Sequence, residues 1–335
     1  MQPPESGMAP GPRPRPADRS SSVRVRAFLG TEAVALLLAW LGLVAVFSVM
    51  SPFFFTVGNA FNIGRAVAVT GIVACGTTIA LISGAIDLSI AAVMDLAAVV
   101  TGTLNLAGVP APAAMLAGLA AGTLAGVFNG IVVTRFRINP IIATLASAGI
   151  VRGIAYLVTS GHSEALTDPA FEFLGRSYVL GVPISMILSV AVVLATLFIL
   201  QRTVFGRVVY AIGGNPVASA LAGINIERWR MLFFMASSLS ASMAGILLLS
   251  KLGTVIPNAA AGTELNTIAA VILGGTSLAG GAGTVQGTVV GVLILGTLTN
   301  GLTLLNVDPY WQAIVAGFVL ILAVAADRLR TGGYR

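Results

Sequence analysis

The chain has 335 residues, 57% hydrophobic and only 9% charged, with a formal net charge of +6. That composition lacks the polar surface a soluble globule needs, and a mean hydropathy of +0.97 fits helices that cross a hydrocarbon core of about 30 Å. Strand-period alternation is absent, which argues against a barrel, and the basic residues are scattered between apolar runs instead of gathered on one domain, which argues against nucleic-acid binding. Cys75 is the one cysteine, so disulfide frameworks and cysteine metal clusters are excluded.

Residues 1–26 are rich in Pro, Ser and Arg and nearly devoid of large apolar side chains, which predicts a disordered cytoplasmic tail. PGPRPRP also spells a PxxP ligand, but a solvated positive tail that orients the first helix accounts for the same residues. The apolar run that follows is too long for a signal peptide. From there, candidate spans fall at 32–50, 66–83, 87–107, 111–133, 138–158, 179–200, 231–250, 265–281, 285–305 and 310–326. The expected fold class is an all-α integral membrane protein of about ten transmembrane helices, with the membrane domain over 27–330. With the tail inside, fourteen of the eighteen basic residues fall in inner segments, and only Arg65, Arg152, Arg176 and Lys251 do not. The positive-inside rule therefore places both termini in the cytoplasm.

Two stretches read as interrupted helices. In SGAIDLS the glycine permits a break and Asp87 can cap a new helix at Leu88; in GGTSLAGGAG, Thr276 or Ser277 can do the same. Direct contact with a transported solute is the alternative role for Asp87. Asp95, eight residues on, falls about two turns along on nearly the same face, where the pair can line a wet pathway or meet a polar interhelical contact. Arg152 lies toward the outer end of the fifth span and can reach the interface. TIALISGAIDLSI (78–90) aligns with TIAAVILGGTSLAG (267–280), and NGIVVTRFRINP (129–140) with NGLTLLNVDP (300–309). These matches predict that spans two to five recur as seven to ten, in an inverted repeat.

The outer loop 161–178 holds His162, Glu164, Asp168 and Glu172; it reads as a solvated acidic loop, since one histidine and separated carboxylates do not make a metal site. The inner loop over 201–230 is the longest mixed-polarity segment. Within it Gly213 and Gly214 break the chain, Asn215 caps, Pro216 takes the first helical position, and Val217, Ala218, Leu221 and Ala222 lie on or near one face of a short helix.

FGRVVYAIGGNPVASALAGINI (205–226) strongly resembles the cytoplasmic coupling loop of ABC-transporter permeases of the ribose, xylose and arabinose type. SGAIDLSI, NGIVVTRFRINPIIATLASAGIVRG and ILGGTSLAGGAGTVQGT match other stretches of that family, in the right order, over residues 60–330. The resemblance implies an inner-membrane permease domain acting as a homodimer or with a sister subunit. Its implied partners are ABC ATPase subunits inside and a periplasmic or lipid-anchored binding protein that delivers a monosaccharide. It also implies that Gly213, Gly214, Asn215, Pro216, Ala218, Ala222 and Gly223 form the segment seated in the ATPase. The chain departs from the family in reading SGAIDLS for GGIDLS, and IAAVMD for VGSVMA, which makes Asp95 an extra acid. No GxxxxGK[ST] occurs and the one lysine, Lys251, follows LLLS, so no nucleotide cofactor is expected and ATP is hydrolysed on another subunit. Two alternatives share the architecture: the same permease with a branched-chain amino acid, nucleoside or furanone-type cargo, and an ion-coupled secondary transporter using Asp87 or Asp95.

Overall fold

The computed structural model describes residues 20–331. Of the expected tail, residues 1–19 lie outside the described residues, whereas 20–26 already belong to helix α1 (Ser20–Met50). There follow α2 (Val57–Ile82), α3 (Ile90–Leu106), α4 (Ala111–Arg135), α5 (Pro140–Thr159), the strand β1 (Glu164–Ala165), α6 (Pro169–Arg176) and the hairpin β2 (Tyr178–Val179) with β3 (Val182–Pro183). The second half contains α7 (Ile184–Arg202), α8 (Val204–Gly214), α9 (Pro216–Leu221), α10 (Ile226–Leu252), β4 (Thr254–Val255), α11 (Thr263–Leu273), α12 (Val285–Leu304) and α13 (Pro309–Thr331). The protein is all-α apart from these two-residue strands. By length and composition, α2, α4, α5, α7, α10 and α12 are long and apolar enough to cross a membrane, while 34–50 of α1, α3, α8, α11 and 309–325 of α13 are shorter apolar stretches.

Helix starts follow a local rule. At Asn139–Pro140, Asp168–Pro169, Asn215–Pro216 and Asp308–Pro309 the side-chain oxygen accepts a backbone N–H of the first turn, from Ile141, Ala170, Ala218 and Tyr310 respectively, at 2.8–2.9 Å. Proline follows where its missing N–H costs nothing. The core is organised on α10, which packs against α2, α3 and α4 along its length. Small residues set the spacing. A side chain at Gly126 of α4 would stand 2.7 Å from the Phe234 carbonyl oxygen of α10, and one at Gly245 of α10 would collide with the Met94 backbone of α3. Close backbone approach of this kind replaces the hydrophobic drive that lipid cannot supply.

At the far end of α10, about 40 Å from its start by helical rise, the chain is tied down by contacts the sequence hides. Loop 161–178 is no mere solvated loop. Glu164 and Ala165 pair antiparallel with Val255 and Thr254, Phe171 is buried, and the Ser250 hydroxyl donates to its carbonyl. Arg176 also donates to Leu252 O at 3.1 Å. Asp168 accepts from Ala170 N–H and from Asn105 Nδ2, and these bonds hold its carboxyl below the ordinary carboxylate value.

The repeat fares differently at its two ends. Segment 129–140 runs from the end of α4 into α5 and its match 300–309 from α12 into α13, as expected. Segment 78–90 ends α2, however, and its match 267–280 ends α11; the two ends lie side by side, with Gly281 N–H donating to Ile82 O at 2.7 Å. The expected span 265–281 is likewise helical only as far as Leu273.

Gly245→Ala is expected to lower stability by about 1–3 kcal/mol, because α3 must shift to admit the methyl group, and an unchanged melting temperature in detergent would exclude this contact as a spacing determinant. A depressed carboxyl stabilises above its unfolded value and loses that effect as pH falls through its folded value. Hydrogen exchange over α6 is therefore expected to accelerate below the ordinary carboxylate range in the wild type and to lose that pH dependence in Asp168→Asn.

Candidate functional site

The loop over 201–230 folds into two helices in place of the one expected. Phe205, Val208, Val209 and Ile212 recur at helical spacing, and Val209 and Ile212 are fully buried in a cluster with Ile79, Ile82, Leu200 and Phe233. That buried face extends α8 through Gly213 and Gly214, which close the helix instead of breaking the chain. Phe205 stacks edge-on against Phe233 of α10 at 5.4 Å. Asn215 then caps α9 through Ala218 N–H, Pro216 sits at its first position, and Gly223 takes a left-handed φ of +84° after it, which glycine adopts without strain. Of α9 only Ser219 is buried; Ala218 and Ala222 are exposed, and Val217 and Leu221 stand 70% and 86% exposed.

The end of α8 touches both helix interruptions. A side chain at Gly213 would run into Ile82 O and stand 2.7 Å from Gly281 N, so glycine is what lets the three segments meet. Tyr210 Oη donates to Gly283 O at 2.9 Å, and the Gly281–Ile82 hydrogen bond closes the triangle. The exposed helix α9 thus begins one residue beyond a backbone junction shared by α8, residues 82–84 and residues 280–283.

Asp87 lies fully buried in the first interruption. It does not cap a helix at Leu88: α3 starts at Ile90 with Ser89 as N-cap, and Asp87 Oδ1 instead accepts from Ser89 N–H at 3.0 Å and Ser89 Oγ at 2.6 Å. Asp87 Oδ2 accepts from Ser237 Oγ of α10 at 2.9 Å. Asn129 of α4 donates to Ser89 Oγ, and Leu88 N–H reaches Thr144 of α5. The carboxylate therefore ties the irregular segment to α10, and Ser89 and Leu88 tie it to α4 and α5. In the second interruption Thr284 caps α12, accepting from Gly287 N–H. Thr276 and Ser277 lie one loop earlier, where Ser277 Oγ accepts from Ala279 N–H and Thr276 Oγ1 has no partner.

Asp95 does not share a face with Asp87, because Asp87 stands outside the helix and the helical period does not apply to it. Asp95 Oδ1 accepts from Ala260 N–H at 2.8 Å, fixing the segment between β4 and α11, and its Oδ2 has no partner. Ala260 stands four residues before Glu264, and Val151, next to Arg152, shares an apolar cluster with Leu96, next to Asp95. Glu264 was invisible as a partner in the sequence, since nothing local links α11 to α3.

Helices of membrane-crossing length, two interruptions buried in protein, and an exposed short helix on the same backbone junction define a membrane permease subunit. The chain belongs to the family described as branched-chain amino acid transport system / permease component, which matches residues 59–324. It is 40% identical over 295 residues to the ribose import permease protein of Escherichia coli (strain K12), covering 87% of this chain and 92% of that one. To the ribose import permease protein of Bacillus subtilis (strain 168) it is 38% identical over 291 residues, 86% and 90% of the two chains. The L-arabinose transport system permease protein of Escherichia coli (strain K12) is 38% identical over 301 residues, again 86% and 90%. No solved structure matches it. ABC-type permeases for sugars are thus its relatives, as the four motifs implied.

Asp87→Ala leaves the Ser89 and Ser237 donors buried without an acceptor and is expected to cost about 1–3 kcal/mol per donor, with Asp87→Asn costing less. Thermal unfolding in detergent checks the order; equal stability of both variants and wild type would show that the carboxylate is not the anchor.

Proposed function

We propose that this chain is the membrane-spanning subunit of a binding-protein-dependent ABC importer that carries a monosaccharide, pentose or hexose, across the inner membrane. ATP is hydrolysed on separate ATPase subunits. The observation that carries the reading is the α8 junction: a partner that pushes the exposed apolar edge of α9, Val217 and Leu221, acts within a few residues on both interrupted helix pairs. Gly213, Gly214, Asn215, Pro216, Ala218, Ala222 and Gly223 form the input segment in this account. A second copy or a sister permease completes the pathway, and a periplasmic or lipid-anchored receptor delivers the solute. The sugar follows from relatives named for ribose and arabinose that match over most of both chains.

Ten crossings are supported by adding 34–50, α3, α11 and 309–325 to the six long apolar helices and leaving α8 at the surface. Arg135, Arg137, Arg202, Arg207, Arg228 and Arg230 flank or lie within the turns at the α8–α9 end, which favours that end, and with it both termini, on the cytoplasmic side. An inverted repeat pairs α2 with α10, α3 with α11, α4 with α12 and α5 with α13. Lengths of 26 and 27 residues for the first pair and 20 and 23 for the last agree with it. ATP-driven closure of the partners then tilts α8 and shifts the interruptions between outward- and inward-facing arrangements.

The assembly reconstituted in proteoliposomes with its ATPase and receptor is expected to take up labelled D-ribose or L-arabinose only with ATP. Gly213→Val is expected to cut uptake by about tenfold or more while the ATPase stays bound, with Tyr210→Phe intermediate. Full uptake by Gly213→Val would break the coupling account, and uptake that survives ATP depletion but collapses with an uncoupler would mark a secondary transporter.

A further inference from the structure

Among the described residues, two buried carboxylate oxygens lack a hydrogen-bond partner, Asp95 Oδ2 and Glu264 Oε2, and the other oxygen of Asp95 holds Ala260, four residues before Glu264. Arg152 also has its Nε buried and unpaired, and the hydroxyls of Ser147 and Thr267 are buried without partners. The five side chains come from three helices. Asp95 is on α3, 1% exposed; Ser147 and Arg152 are on α5; Glu264 and Thr267, one turn apart on α11, extend the same face. Both α5 and α11 pack on α3, with Ala148 and Val151 of α5 in one apolar cluster with Ala92 and Leu96 of α3 and with Ala260. Asp95 is buried, and Arg152 and Glu264 are half-buried.

Buried polar atoms are almost always satisfied, so several unsatisfied ones on converging side chains need an explanation. A structural ion pair does not supply it. Neither Asp95 nor Glu264 makes an ion pair with Arg152; the one ion pair among the described residues is the exposed Arg176–Glu172 pair. The donor and acceptor set instead suits a ligand with several hydroxyl groups. Each hydroxyl donates one hydrogen and accepts others, carboxylates only accept, and a guanidinium only donates. Two carboxyl groups against one guanidinium oppose an anionic solute, and hydroxyl groups on a neutral one can serve both kinds of side chain.

We propose that Asp95 Oδ2, Glu264 Oε2 and Arg152, with Ser147 and Thr267 beside them, receive the hydroxyls of a neutral polyhydroxylated solute during its passage between α3, α5 and α11. The proposal rests on the importer reading above and adds the contact residues, with Asp95 as the chain's own specificity determinant. The other oxygen of Asp95 holds Ala260, so the carboxylate links the solute to the segment that leads into α11. Non-helical backbone at membrane depth is stable where it lines such a site or is buried in protein.

The test uses the complete importer in proteoliposomes, with labelled D-ribose and its singly deoxygenated analogues as probes. Asp95→Asn keeps an oxygen for the Ala260 N–H and replaces the free acceptor with a donor, so the fold contact survives. A site that hydrogen-bonds a hydroxyl rejects the analogue lacking it. The wild type is expected to discriminate by about tenfold or more against at least one analogue, and Asp95→Asn by about threefold or less. Discrimination by the receptor is common to both proteins, so an unchanged ratio would overturn the site. A second measurement is independent of the sugar. In a Cys75→Ser background, the thiol introduced by Asp95→Cys is expected to react with a small water-soluble methanethiosulfonate. If it stays inert in cycling transporter while Asn266→Cys reacts, the site is sunk and the importer reading is not. Absence of ATP-dependent uptake by the wild type sinks the importer reading, while thiol reactivity still decides whether a polar solute can reach Asp95.

Discussion

Backbone amides that leave a helix at membrane depth must find partners inside the protein, and the two interruptions at 83–89 and 274–284 are where this chain meets that demand. An unpaired amide in hydrocarbon costs several kcal/mol, on the order of the net stability of many domains, so the breaks persist only because specific groups close them. Asp87 does this for the first through Ser89 and Ser237. Thr284 and the hydrogen bond from Gly281 to Ile82 do it for the second. The consequence reaches beyond stability, since each interruption is now joined to a different helix than the one it follows.

Around these breaks the structure divides by the way its helices are packed. The α2–α3–α4–α10 unit is packed through glycine, serine and alanine at backbone distance, an arrangement that changes only as a whole. Helices α8 and α9 are attached differently, through the Phe205, Val209 and Ile212 face on one side and a junction of bare glycine backbone on the other. Glycine contacts transmit displacement without side chains to absorb it. The exposed helix α9 starts just after α8 ends on that junction.

Asp87 and Asp95 show how two acids near each other in sequence come to unlike positions. The first is saturated by donors, and its removal is a matter of fold. The second is half-used: one oxygen holds the α11 approach and the other has no partner. Satisfaction of hydrogen bonds, more than charge or depth, separates an anchoring acid from one available to a ligand.

The membrane class, the cap at Asn215, the two interruptions and the short helix after Pro216 were legible in the residues themselves, because each depends on local chemistry: hydropathy over a span, a side chain reaching its own first turn, glycine where a helix must stop. The family could be read for the same reason, from motifs that are contiguous in the chain. Helix α8 was missed because its amphipathic face has meaning only against α2, α7 and α10. That Asp87 serves Ser237, that Gly213 touches Ile82 and Gly281, and that Asp95 holds Ala260 were decided by the tertiary structure alone. Those contacts join residues far apart in the chain, and no local preference encodes which distant helix a buried polar atom will meet.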